Sequence, residues 1–160
     1  MVELQVGDQT VRYDRDATAR IYANLISGWA EKCGCVGCRN YLAQRDTIYP
    51  PAFRELLDRV GIDLEKDAEV VLDGPVQDGL YHYGGWFFFV GEMVTIGDSV
   101  VGNSPCLEFW FTRFGPCPKE FQSEPHVAIE FGAHFKWVLP ESWDSDLRPA
   151  LRRSERPRTV

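Results

Sequence analysis

The chain has 160 residues, 44% of them apolar and 13% aromatic, and carries a net charge of −7. That length suits one domain with a real core, and the apolar content excludes disorder for its body. No run of 18 apolar residues occurs, which excludes a membrane-spanning helix, and the acidic balance argues against a nucleic-acid backbone as the main partner.

The start, Met1–Gln5, lacks the basic and apolar regions of a signal peptide, so the expected compartment is the cytoplasm, where thiols stay reduced. Residues 1–147 are expected to form the single globular domain. Residues 148–160 hold Arg148, Arg152, Arg153, Arg156 and Arg158 against Glu155 alone, and read as a flexible basic tail.

Val2, Leu4 and Val6 alternate with polar residues, as do Val11 and Tyr13, around a turn at Gly7-Asp8-Gln9. This pattern predicts an N-terminal hairpin. Asp14 or Asp16 then caps a helix over about 17–31, whose apolar face is Ile21, Tyr22, Leu25, Ile26 and Trp29. Pro50 and Pro51 open a second helix with the stripe Phe53, Leu56, Leu57 and Val60, and Gly61 ends it.

From residue 68 the period becomes strand-like. Glu69–Leu72, Leu80–Tyr83, Trp86–Val94, Cys106–Phe114 and Val127–Leu139 read as strands, with a break at Gly84-Gly85 and loops at Gly97–Pro105 and Gly115–Pro125. The expected fold is α+β: an N-terminal hairpin and two helices packed on a meandering antiparallel sheet of five to seven strands.

The stretch Cys33–Asn40, the helix opening at Tyr49-Pro50, the run Gly61-Ile62-Asp63, and the later Tyr83–Phe87 and Trp137–Glu141 together resemble a group of small uncharacterised bacterial proteins. The resemblance covers about residues 29–141 and implies no activity.

Cys33, Cys35 and Cys38 form the most chemically pointed segment. Zinc takes four ligands, commonly thiolates at about 2.3 Å. A Cys-x-x-Cys turn such as Cys35–Cys38 places two sulfurs on one ion, and Cys33 folds back as a third. Candidates for the fourth place are Cys106, Cys117, His82, His126 and His134. A redox dithiol would want Cys35 at a helix N-terminus, where the dipole favours thiolate, but the sequence places these cysteines after a helix. The third reading is packing alone, since cysteine serves as a small hydrophobe.

Strand alternation supplies a second group. Glu92, Glu108, Glu130 and His134 fall on one side of the expected sheet, where they either do acid–base work or decorate a solvated face. Trp86–Phe89 and Phe109–Phe111 place aromatics on both sides, so both faces should be at least partly covered, by packing or around a hydrophobic groove. Neither a phosphate-cradling Gly-rich loop nor a Gly-x-Ser-x-Gly elbow is present. The leading expectation is a small binding or interaction domain with a zinc-pinned cysteine loop. A small enzyme using the sheet-face Glu and His, or a thiol-based redox protein, is the alternative. The partner is unspecified, and a homo-oligomer stays open.

Overall fold

The computed structural model describes residues 1–97, 100 and 102–147, with Asn103 described by its backbone only. The expected basic tail, 148–160, lies outside the described residues. The fold is α+β, as expected. Seven antiparallel strands form one sheet: β1 (Val2–Val6), β2 (Gln9–Tyr13), β3 (Glu69–Pro75), β4 (Leu80–Thr95), β5 (Gly102–Ser104), β6 (Leu107–Thr112) and β7 (His126–Lys136). Their order is β1-β2-β4-β7-β6-β5, with β3 also paired to β4. Five helical segments precede β3: α1 (Arg15–Asn24), α2 (Trp29–Cys33), α3 (Val36–Leu42), the single turn α4 (Arg45–Ile48) and α5 (Pro51–Val60).

The expected first helix is two. Asp14 caps α1 by accepting from the Ala17 N–H at 2.9 Å. The chain turns extended at Leu25, leaving Ile26 96% exposed, and restarts as α2. Gly28 offers no capping side chain. Asp67 supplies the cap from afar, its backbone carbonyl accepting from Trp29 N–H and its carboxylate from Ala30 N–H at 3.0 Å. The second expected helix is α5, with Phe53, Leu56, Leu57 and Val60 buried as its periodicity demands. Gly61 follows at φ 85°, where a Cβ would overlap the Arg15 carbonyl.

Gly84-Gly85 does not interrupt the sheet, because β4 runs unbroken through it. The ring of Phe131, directly across on β7, occupies the space where a Gly85 side chain would stand. Glycine here makes room for an aromatic rather than ending a strand. The expected loop 97–105 contains β5, and the expected β7 stops at Lys136 rather than Leu139.

One edge of β4 pairs with β7 from Leu80↔Lys136 to Val90↔His126. Its other edge is shared by β3 and β2, which leave a gap at Phe88–Val90. Side chains of α1 fill the gap. The Tyr22 hydroxyl donates to Phe88 O (3.0 Å) and accepts from Phe88 N–H, while Thr18 Oγ1 accepts from Val90 N–H at 3.0 Å. Gln9 plays the same part for β6: its amide accepts from Phe111 N–H at 2.8 Å and donates to Phe111 O at 3.0 Å. Buried backbone groups need partners, and here hydroxyls and an amide stand in for a strand.

The core lies between the helices and one sheet face. Tyr49 touches Phe53, Phe87 and Phe131, and Phe87 stacks on Phe131 with centroids 5.9 Å apart. The opposite face is covered only in part. Phe121 sits over Phe88 there, whereas Trp86 and Trp110 stay half-buried.

Candidate functional site: the cysteine turn and the open sheet face

Cys33 ends α2, Gly34 follows in the left-handed region at φ 65°, and Cys35 is the N-cap of α3. The cysteines therefore join two helices instead of forming a loop behind one. A glycine that reverses the chain and a residue able to cap make this tight joint. The Cys35 sulfur accepts from the Cys38 N–H at 3.4 Å. Sulfurs of Cys33, Cys35 and Cys38 all lie within 4.8 Å of one another, and among the described residues this trio is the group of three ligand side chains that already stands so close. No disulfide links them.

Their environments grade inward. Cys33 is exposed, Cys35 half-buried and Cys38 buried. The Cys35 backbone N–H, and then its thiol, hydrogen-bond the Cys33 sulfur and hold its pKa below the usual thiol value, against slight desolvation and the Asp146 charge. Burial, reinforced by the neighbouring sulfurs, pushes the Cys38 thiol far up.

None of the five expected fourth ligands joins the trio. His82 Nδ1 is 2.7 Å from Asp73 Oδ2, His126 Nδ1 faces the Phe121 and Glu124 carbonyls, and Cys117 donates to Pro118 O. Cys106 and His134 meet across β6 and β7, His134 N–H donating to Cys106 O at 3.0 Å. These residues belong to the sheet's open side, while the cysteines sit on helices.

The acidic group at the turn is one the sequence reading passed over. Asp146 Oδ2 accepts from Val36 N–H, the first amide of α3, at 2.6 Å. Nearby, Arg39 Nη1 donates to Glu141 Oε1 at 2.7 Å. Asn40, fully buried, donates to Tyr83 Oη and Lys136 O and accepts from Val138 N–H at 2.8 Å. Through these bonds α3 clasps residues 136–146. Arg39 and Asn40, next to the cysteines in sequence, tie the C-terminal segment rather than the turn itself. The only sequence signal was polar residues beside the cysteines, with no hint of their distant partners.

On the open face the expected group assembles in part. Glu130 lies between Trp86 on β4 and Trp110 on β6, and accepts from Trp110 Nε1 at 3.1 Å. Glu108 is opposite Gly132, and His134 is opposite His82. Glu92 does not join them. It lies near the far end of β4, opposite Arg12, and pairs with that residue at 2.8 Å.

Compared with protein-family models, with curated proteins and with solved structures, the chain matches none.

Proposed function

We propose that the protein is a small binding domain whose cysteine turn is pinned by one zinc ion. The observation that carries this reading is the convergence of three thiols within 4.8 Å at the joint between two helices. Zinc–sulfur bonds of about 2.3 Å at tetrahedral angles set sulfurs a little under 4 Å apart, so small rotations of the three side chains satisfy the ion. Water or Asp146 takes the fourth place. Zinc would neutralise the cost of ionising buried Cys38 and, through Val36 and Asn40, would fix the clasp on the C-terminal segment.

Metal analysis of protein purified with reduced thiols tests the reading. One equivalent of zinc, lost in Cys38→Ser together with thermal stability, is expected. Protein free of zinc, and unchanged in melting temperature when zinc is added, would sink it.

One observation favours a second reading. Cys35 does stand at a helix N-terminus, the position a redox dithiol asks for, with Cys33, the exposed thiol of the trio, beside it. A mild oxidant that takes two electrons and two protons, lowers the mass by two hydrogen atoms and links Cys35 to Cys33 or Cys38, reversibly by a thiol reductant, would favour that chemistry over zinc.

A further inference from the structure

We propose that the open sheet face carries a separate site for a divalent first-row transition-metal ion, made by His82, His134 and Glu108, with Asp73 orienting His82. It does not depend on the cysteine turn. The recess, of about 180 Å³, is lined by His82, Cys106, Glu108, Gly132 and His134.

Four features converge. Gly84 and Gly132 face each other across β4 and β7, so the floor has no side chains and an ion can approach the sheet. His82 Nε2 and Glu108 Oε1 each lie 3.4 Å from the point a Gly132 Cβ would occupy, so a nitrogen and a carboxylate oxygen border one small space. The rings of His82 and His134 have centroids 5.3 Å apart at 70°. Two imidazoles on one ion, at metal–nitrogen bonds of about 2.1 Å, hold their centroids at about 5 Å.

The fourth feature is Asp73. Its Oδ2 is 2.7 Å from His82 Nδ1, which leaves Nε2 as the free ligand nitrogen. Metal-bound histidines characteristically give their other ring nitrogen to a carboxylate in this way. Closure requires Glu108 and the exposed His134 to turn toward His82, which their solvent-facing positions permit. Imidazole and carboxylate together suit Ni²⁺, Cu²⁺ or Zn²⁺.

The chain has three histidines, and the third, His126, serves as an internal control. Protein preincubated with one equivalent of zinc, and in parallel Cys33→Ser/Cys35→Ser protein, which lacks two of the turn's sulfurs, is titrated with Ni²⁺ and followed by histidine NMR signals and calorimetry. One equivalent should broaden His82 and His134 and leave His126 sharp. His134→Gln should weaken binding at least about tenfold, and Asp73→Asn by about 10–100-fold, with the circular dichroism spectrum unchanged. His126→Gln should change nothing. Equal broadening of all three histidines, or an affinity unaltered in the His82→Gln/His134→Gln double variant, would overturn the site.

Discussion

The cysteine turn and the histidine recess both gather side chains able to hold a metal, and they do so by opposite means. The turn draws its sulfurs from six consecutive residues, so local backbone alone brings them together. Its neighbour Asn40 is buried and bonded three times, which embeds the turn in the core. The recess draws its groups from three strands that are distant in sequence, so only sheet register brings them together. Its one strong restraint is the exposed Asp73–His82 pair. Metal at either place stabilises the fold by mass action, so the two differ in occupancy: a thiolate site filled at low free zinc should couple the ion to folding, whereas a recess of imidazole and carboxylate stays empty at that zinc level and should leave stability unaltered.

Removing a sulfur is the strongest way to sharpen this contrast. At free zinc about a thousandfold above Kd, losing the ion costs about 4 kcal/mol, so Cys38→Ser should fall by that order in zinc-supplemented urea unfolding. At the same free zinc, kept below the Kd of the recess, His134→Gln should stay within about 0.5 kcal/mol. Equal losses would erase the distinction.

The clasp comes next. Asn40→Ala leaves the Val138 N–H without its partner and takes one bond each from the Tyr83 hydroxyl, which keeps Gly37 O, and the Lys136 carbonyl, which keeps Gln44 Nε2, and should cost about 1–3 kcal/mol while speeding protease cleavage after residue 136. Unaltered cleavage would mean that other contacts hold the segment.

Two glycines probe the two faces of the sheet itself. Gly85→Ala drives a methyl into Phe131 and should destabilise by about 1–3 kcal/mol. Gly132→Ala meets Glu108 and His82 at 3.4 Å, so it should fold nearly as before while filling the recess and weakening Ni²⁺ binding. If both variants lose stability alike, the open face is not open.

The smallest expected effect is Asp67→Asn. Burial raises the Asp67 carboxyl pKa above its ordinary value of 3.8, so the folded state holds that proton more tightly than the unfolded one. Stability from this group is therefore full below about pH 4 and declines as pH rises through the raised value. Asparagine removes the decline and keeps an oxygen for the Ala30 cap. The variant should gain on the wild type as pH rises from about 4 to about 7. A difference that stays flat with pH would show that Asp67 ionises without penalty.

Much of this molecule is readable in its sequence where the information is local. The period of α5, its proline start and Gly61 stop, the hairpin at Gly7 and the alternation in β7 all follow from neighbours along the chain. The cysteine trio was visible for the same reason. What escaped was contact across the fold. Ile26 and Trp29 fit a helical stripe, yet the chain leaves the helix at Leu25, because Asp67 caps a fresh helix from 37 residues away. Gly84-Gly85 looked like a break because the Phe131 ring that fills it lies on another strand. Glu92 and Glu130 share strand parity with their neighbours, but parity gives a side of the sheet and not a position along it. The fourth-ligand candidates failed on the same ground, since no spacing rule says which strand ends beside α3.

β7 has a consequence for how the chain is made. It is the last strand of the described residues and lies at the centre of the sheet, between β4 and β6. Until it leaves the ribosome, Phe87 and Phe89 on β4 and Phe109 and Phe111 on β6 lack the neighbour strand that joins them. At synthesis rates of roughly 5–20 residues per second, the nascent chain spends several seconds with these aromatics unpaired. Folding of the sheet is then a late event governed by long-range pairing, and the aromatics of β4 and β6 are open to wrong pairing during that interval.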